Sequence, residues 1–306
     1  NCTRYVKSII GYFRDGMSDV DIKVKGFKNA EKKYHHVGTG FSAGIDSFAT
    51  FYDHFERETD PDYKIDSLFF FNVGSHGGGG EKARRKFLER YNYLKSFPDE
   101  VGLPYIPMDS NLFDFYLKYW EFDAGEFCRC AGILVFERAL DKYFVSSDYS
   151  YKETMFFHFN KSTTSFSGLA ETFTNPLLST EVCEIISDGG QYMRTDKTFL
   201  LKDYEPAHRY LNVCVGVQES ACNCGRCHKC IRTLVALDTL GILERFSKVF
   251  DIEEYKRKSY WHKCNLRYYY KTSAYIKDNV DFAKASGRPF PPYIIAAIYM
   301  TFVRIG

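Results

Sequence analysis

The sequence predicts an α/β protein whose core is a doubly wound, mostly parallel sheet, followed by a small helical lobe around a cysteine cluster. Short apolar segments alternate with amphipathic helical patterns from residue 34 onward, which is typical of parallel strands joined by helices. Five of the ten cysteines fall within residues 214–230. Hydrophobic residues make up 45% of the 306 residues and charged residues 26%, a balance typical of a folded globular chain.

Each element of the sheet has its own sequence signal. Helical patterns lie at 81–94 and 125–140, between segments that are apolar enough to be buried strands. The third strand segment contains Pro104 and Pro107, which weakens it as a central strand. The five predicted strands are 34–41, 65–73, 103–108, 143–147 and 183–187. Residues 149–180 lack clear periodicity, and we expect a long excursion on the substrate side.

The segment between the first strand and the first helix carries the clearest functional signal. It reads Ser-Ala-Gly-Ile-Asp-Ser over 42–47. A small-residue turn that opens a helix directs several free backbone N–H groups toward one point, where an anion is favoured. The Ser42 and Ser47 hydroxyls add donors, and Asp46 is expected to hold a Mg²⁺ ion that bridges phosphate oxygens. The alternative is an ordinary strand-to-helix turn capped by the two serines. The predicted binding residues are Ser42, Ala43, Gly44, Ile45, Asp46 and Ser47.

The cysteine cluster has the spacing of a metal site. Cys224, Cys227 and Cys230 form two overlapping Cys-x-x-Cys steps, and Cys214 follows a strand-like segment over 210–215. These four thiolates can close a tetrahedral site for Zn²⁺, and a closed shell of this kind is structural. Three alternatives stay open: Cys222 in place of Cys214, an iron–sulfur cluster, and a redox disulfide.

Together, the two motifs resemble a known superfamily. Residues 42–47 resemble the Ser-Gly-Gly-x-Asp-Ser loop of the PP-loop ATP pyrophosphatases, with Ala43 in place of the middle glycine. We expect the Ala43 methyl group to fit with a negative φ. The cysteine spacing is similar to the Cys-x₉-Cys-Gly-x-Cys-x-x-Cys zinc motif of the 7-cyano-7-deazaguanine synthases, a branch of that superfamily, and the resemblance covers about residues 34–245. It implies an adenine nucleotide alpha hydrolase-like fold.

The resemblance also implies domains and site residues. It divides the chain into an N-terminal extension over 1–33, a nucleotide-binding domain over 34–205 and a zinc-bound helical lobe over 206–306. A lysine at a helix start often reaches the phosphates in this superfamily, so Lys197 is the candidate catalytic cation, with Arg194 as its helper. The deazapurine-binding elements of the synthases are absent here. At a predicted strand end, Ser146, Ser147 and Asp148 are instead the candidate substrate contacts, or else form a simple turn.

The resemblance thus implies an ATP-dependent ligase that splits ATP into AMP and pyrophosphate. It adenylates a carboxylate or amide-type oxygen of a small molecule, and ammonia or another nitrogen nucleophile then attacks. Two alternatives are sulfur transfer to tRNA or a small molecule, and a non-catalytic, zinc-stabilised interaction module. The expected cofactors are ATP, Mg²⁺ and Zn²⁺. With a formal net charge of +2 and no long apolar run, nucleic acid and membrane are not expected partners. A cytoplasmic location is expected, and a homodimer is left open.

Overall fold

The protein is represented by a computed structural model that describes Tyr5 and residues 23–26, 31–77, 79–116, 125–160, 171–215 and 221–305. The predicted extension over 1–33 lies largely outside the described residues. The chain forms two compact units. One consists of the chain up to Ser42 together with Thr50–Gln191, and the other consists of Ala43–Ala49 and Tyr192–Gly306.

The first unit contains a five-stranded sheet in which every pairing is parallel. Its strands are β1 (His36–Gly40), β2 (Ser67–Asn72), β3 (Tyr105–Asp109), β4 (Leu140–Ser146) and β5 (Glu184–Asp188). The strand order is β3-β2-β1-β4-β5, so the chain winds outward from β1 first in one direction and then in the other. This confirms the predicted α/β class and parallel sheet. A doubly wound sheet of this kind binds ligands where the order reverses, at the carboxyl ends of β1 and β4.

The burial of β2 explains why its sequence is almost continuously apolar. All six of its residues are buried, as expected of a strand that is covered on both faces. Its neighbour β3 lies at the edge of the sheet, where Pro107 can be accommodated because a proline cannot donate to a further strand.

Helices cover both faces of this sheet. The helices of the first unit are α2 (Gly80–Leu94), α3 (Ser96–Val101), α4 (Leu112–Tyr116), α5 (Gly125–Leu134) and α6 (Tyr151–Asn160). On one face, Phe70 stacks on Phe87 of α2 with ring centroids 5.4 Å apart. On the other face, Phe71 belongs to a core cluster with Cys128 and Ile133 of α5. Because side chains alternate along a strand, Phe70 and Phe71 of β2 serve opposite layers.

The second unit is helical in its described residues. Helix α1 (Ile45–Phe51) begins there and continues into a π-helical turn, Tyr52–Glu56. The helices that follow are α7 (Arg194–Leu200), α8 (Glu205–Tyr210), α9 (His228–Leu240), α10 (Ile252–Tyr268), α11 (Ala274–Ala285) and α12 (Tyr293–Ile305). Among the described residues, no helix has both the length and the apolar character that crossing a membrane requires.

Three local expectations differ from the structure. The strand-like segment before Cys214 is not a strand, because α8 ends at Tyr210 and residues 211–215 have no regular structure. Helix α5 ends at Leu134, and a turn separates it from β4, which begins at Leu140. Within 149–180, where we expected a long excursion without clear periodicity, residues Tyr151–Asn160 form helix α6.

Candidate functional site

The segment 42–47 connects β1 to α1 and forms a compact turn. Ser42 is exposed and ends the first unit, whereas Ala43 and Ile45, in the second unit, are almost fully buried. The Ser47 hydroxyl lies 3.2 Å from the Gly44 carbonyl oxygen, to which it donates a hydrogen bond. One of the two serines is therefore already bonded within the turn, and the other faces solvent.

Ala43 does not have the backbone conformation expected from the sequence. Its φ is +55°, and it is the one residue other than glycine with a positive φ in the part of the chain that the structure describes. The left-handed region brings Cβ close to the following carbonyl oxygen, which costs roughly 1–2 kcal/mol. The Ala43 carbonyl oxygen accepts a 2.7 Å hydrogen bond from the Asn212 backbone N–H, and this bond helps to hold the strained peptide. The expectation of a negative φ was wrong, because the turn needs the conformation that glycine adopts most easily.

Two cations meet the carboxylate of Asp46. Arg194 Nη2 lies 2.6 Å from Asp46 Oδ2, and Lys197 Nζ lies 3.1 Å from Asp46 Oδ1. The three side chains are sheltered, with 10%, 2% and 14% of the Arg194, Lys197 and Asp46 side chains exposed. Lys197 and Arg194 are one helical turn apart on α7, so both project from the same face of that helix. The structure therefore brings together the three charged residues that the sequence singled out, all within the second unit.

The local field favours anions. Burial acts to raise the pKa of the Asp46 carboxyl, but the charges of Arg194 and Lys197 outweigh it and hold the pKa below its usual value, with a smaller contribution from Lys229. An ionised Asp46 neutralises one of these cations, and the others leave positive charge at the site. Lys229 lies in the first turn of α9, between the cysteines Cys227 and Cys230. Sequence reasoning used this segment only for its thiols and missed its cation.

The start of α7 is held by a residue that the sequence did not suggest. Asp278 of α11 is 6% exposed, and it accepts hydrogen bonds from the Thr195 backbone N–H at 2.9 Å and from the Thr195 hydroxyl at 2.7 Å. Asp278 lies more than eighty residues from Thr195 in sequence, so no local pattern could reveal this contact.

The predicted substrate residues lie in the first unit, at the carboxyl end of β4. The Ser147 hydroxyl is 3.0 Å from the Ser187 hydroxyl, and the Ser147 backbone N–H donates to the Asp188 carbonyl oxygen. The Ser146 hydroxyl oxygen is buried and has no hydrogen-bond partner among the described residues. Ser147 therefore serves mainly to join β4 to β5.

Asp148 belongs to a charged network that the sequence did not suggest. Its backbone N–H donates to Glu171 Oε1 at 2.7 Å. The Nη1 atom of Arg129 lies 3.5 Å from Glu171 Oε2 and 3.4 Å from Glu126 Oε2. Both glutamates are almost completely buried. Burial, together with the nearby Asp148 charge, raises the pKa of the Glu171 carboxyl well above its usual value. The network fixes the loop after β4 through its backbone.

A polar cavity of about 510 Å³ lies at the carboxyl ends of β2 and β3. It is bounded by the glycine-rich loop that opens α2, and the Phe113 ring forms part of its wall. Asp109 is one of its lining residues, and it accepts a hydrogen bond from the Asn72 side-chain amide and pairs with Arg84. Its described lining holds more carboxylates than cations, an arrangement that repels phosphate.

The cysteine cluster has the geometry of a four-thiolate metal site. The Sγ atoms of Cys214, Cys224, Cys227 and Cys230 all lie within 4.8 Å of one another, and those of Cys224 and Cys230 are 3.9 Å apart. A tetrahedral site with metal–sulfur bonds of about 2.3 Å requires sulfur atoms roughly 3.8 Å apart. The Cys227 and Arg226 backbone N–H groups donate hydrogen bonds to Cys224 Sγ at 3.2 and 3.4 Å. This cluster can hold a metal ion such as zinc.

The structure also distinguishes the two candidates for the fourth ligand. Cys214 lies in the cluster, whereas Cys222 is exposed and outside it. The hydrogen bond between the Cys230 and Cys227 thiols lowers the pKa of Cys227 and, together with burial, raises the pKa of Cys230, so Cys230 holds its proton more firmly than Cys227. A bound cation would displace that proton, since metal ligation requires thiolates.

Comparisons with family models, with curated proteins and with solved structures found no match to this chain. The resemblance to the PP-loop enzymes therefore rests on the two sequence motifs alone.

Proposed function

We propose that this protein is an ATP-dependent enzyme of the PP-loop type, which adenylates a carboxylate or amide-type oxygen of a small molecule and releases pyrophosphate. One observation carries the proposal: Asp46, in the first turn of the helix that follows the central strand, meets both Arg194 and Lys197 in a sheltered site. A helix start with two converging cations suits a pyrophosphate group. The resemblance of residues 42–47 to the PP-loop supports the same assignment.

The proposal requires an exchange of partners around Asp46. In the described arrangement, each carboxylate oxygen of Asp46 is paired with one of the two cations. When the β and γ phosphates of ATP enter, their oxygens take over Arg194 and Lys197, and the carboxylate becomes available to a divalent cation. The cations then stabilise the charge that develops on the departing pyrophosphate, which directs attack to the α phosphorus.

The proposal places Mg²⁺ at Asp46 together with phosphate oxygens, rather than a metal held entirely by protein. Within the described residues, no group of three or more candidate ligands gathers at Asp46. Mg²⁺ is commonly bound by one or two carboxylates together with phosphate oxygens and water. When it is bound, the ion neutralises phosphate charge. Asp46 would hold it, and the Ser47 hydroxyl stays bonded to Gly44 in the turn.

The remaining roles follow from position. Residues Ser146 and Asp148, at the end of β4, are proposed as ligand contacts of the first unit, and the Glu126–Arg129–Glu171 network holds that loop. A nitrogen nucleophile such as ammonia would then displace AMP from the adenylate. Zinc is the proposed occupant of the four-cysteine cluster. It would have a structural role, because four thiolates leave no open position for chemistry.

The sulfur-transfer alternative needs a reactive thiol outside the metal cluster. Cys128 and Cys130 are both buried. Burial raises the pKa of Cys128 to about 11, and it also raises the pKa of Cys130. Among the cysteines of the described residues outside the cluster, only Cys222 is exposed. The thiolation function would therefore depend on Cys222, and Cys222→Ser tests it directly.

Product analysis tests the proposal. The protein is incubated with Mg²⁺, ATP, candidate carboxylic acids and ammonium, and the nucleotides are separated by chromatography. We expect AMP and pyrophosphate, and we expect Asp46→Asn to lower the rate by a hundredfold or more, because one such electrostatic contact is typically worth about 3 kcal/mol. ADP as the main product would refute the assignment.

A matched control is available in the same stretch of chain. Asp53 is as sheltered as Asp46, with 15% of its side chain exposed, and it also pairs with an arginine, Arg57, at 2.8 Å. Asp53→Asn therefore makes the same change of charge seven residues away. AMP formation is expected to survive this substitution. Equal losses in the two variants would indicate a general effect on folding rather than a role for Asp46.

A further inference from the structure

Helix α11 touches the Asp46 site through two side chains. Asp278 accepts two hydrogen bonds from Thr195, the residue that follows Arg194 on α7. One turn earlier on α11, the ring of Tyr275 faces two arginines. The guanidinium carbon of Arg194 lies 5.3 Å from the ring centroid, and that of Arg232 lies 4.3 Å from it. All of these residues belong to the second unit.

We propose that Tyr275 and Asp278 are positioning residues for an anion site formed by Arg194 and Lys197. Both arginines lie within the roughly 6 Å range at which a cation is attracted to an aromatic face. The Arg194 side chain therefore has two fixed points, the Tyr275 ring and the Asp46 carboxylate. The proposal deepens the proposed function, because it concerns the same phosphate site.

The need for such positioning follows from the short length of α7. This helix has only seven residues, and so brief a helix is marginal without tertiary contacts. Asp278 supplies one by bonding the backbone N–H and the hydroxyl of Thr195, which fixes the direction in which the first turn of α7 points. The Arg194 and Lys197 side chains both project from that turn, so its orientation sets the positions of both cations.

Tyr275 also connects the phosphate site to the segment that carries the cysteines. Arg232 is 6% exposed and lies on α9, two residues after the metal-site candidate Cys230. Arg232 and Arg194 carry like charges that would repel each other, and the negative face of the shared ring offsets that repulsion. The ring thus allows two guanidinium groups to stay near one site, which increases its attraction for an anion.

The test measures pyrophosphate binding by calorimetry, with Mg²⁺ present, on the full chain. We expect Asp278→Asn to weaken binding by about 5–30-fold, because the charge-assisted hydrogen bonds that the carboxylate accepts from Thr195 are replaced by weaker bonds to a neutral amide. Tyr275→Leu and Tyr275→Met are expected to weaken it to a similar extent, and Tyr275→Phe, which keeps the ring, by no more than about threefold. Asp281→Asn is the matched control, since Asp281 also accepts a hydrogen bond on α11 but is 45% exposed and bonds to Tyr270 and Lys277. It should leave binding unchanged.

A double-mutant cycle separates positioning from general stability. If Tyr275 acts through Arg194, then Tyr275→Leu should have little further effect on affinity in an Arg194→Ala background. Additive losses would overturn the proposal, as would wild-type affinity in both Asp278→Asn and Tyr275→Leu.

If neither Tyr275→Leu nor Tyr275→Met folds, the affinity of Asp278→Asn compared with that of its control, Asp281→Asn, decides whether the proposal holds. A wild-type protein that binds pyrophosphate in this pattern but makes ADP from ATP would refute the proposed reaction and leave the positioning intact. A wild-type protein that binds no pyrophosphate would refute both.

Discussion

The positive φ of Ala43 gives a measurable prediction about the turn. Ala43→Gly and Ala49→Gly each remove one buried methyl group, since the two alanines are 1% and 2% exposed. They differ in backbone conformation, because Ala43 has a φ of +55° and Ala49 lies within helix α1. The pair therefore isolates the strain in the turn from the loss of the methyl group.

The magnitudes follow from these two environments. Ala49→Gly loses about 0.8 kcal/mol for the methyl group and about 1 kcal/mol of helix propensity, so the free energy of unfolding should fall by about 2 kcal/mol. Ala43→Gly loses the same methyl contribution and about 0.4–1 kcal/mol through the greater freedom of the unfolded chain. It also relieves roughly 1–2 kcal/mol of left-handed strain. The free energy of unfolding of Ala43→Gly should therefore stay within about 0.8 kcal/mol of the wild-type value.

Urea unfolding followed by Trp261 fluorescence provides the assay. Trp261 lies in the second unit with both alanines, and a Trp120→Phe background leaves it as the only tryptophan. The difference between the two variants should be about 1–3 kcal/mol at equal m-values. If Ala43→Gly destabilises as much as Ala49→Gly, the left-handed conformation carries no strain and the reasoning fails.

Three further predictions concern the metal, the ligand and pH. Wild-type protein should contain about one zinc ion per chain. Cys227→Ser should lose both the zinc and the structure of the second unit, whereas Cys222→Ser should keep both. Metal analysis that finds iron or no metal in the wild type would contradict this prediction. Calorimetry should show that Mg²⁺ and pyrophosphate each bind much more tightly when the other is present, because pyrophosphate must release Asp46 from its cations; independent binding would exclude that exchange. Burial, with smaller effects from nearby cations, lowers the pKa of His76 from 6.5 to about 4, so the folded state resists its protonation. The contribution of neutral His76 to the free energy of unfolding should therefore be complete above pH 6.5. It should fall by up to about 3 kcal/mol as the pH drops from 6.5 to 4, and the pH dependence measured by urea unfolding should be weaker in His76→Gln.

The sheet could be predicted because its signal is local. A strand that is covered on both faces must be apolar along its whole length, so β2 is recognisable without any knowledge of its neighbours. Pro104 and Pro107 weakened the third strand candidate, but β3 does form, and Pro107 is accommodated because β3 is an edge strand. The segment before Cys214 was mistaken for a strand because its apolar residues are buried, and burial alone does not specify a strand.

The candidate site could be predicted only in part. The cysteine spacing indicated the metal cluster, and the small-residue turn singled out Asp46. The position of Lys197 at a helix start suggested a phosphate contact, but the sequence could not show that its amine meets Asp46. Ala43 was misjudged, since the residue type does not reveal φ.

The sequence by itself therefore determined the alternation of strands and helices, the turn that opens α1 and the set of thiols, because each depends on residues that are close together in the chain. The tertiary structure alone decided which charges meet. Asp46, Arg194 and Asp278 come from three distant segments, and the Coulomb and hydrogen-bond energies that link them depend on separations of about 3 Å. Spacing in the sequence does not specify such distances, which are set by the packing of α7 and α11.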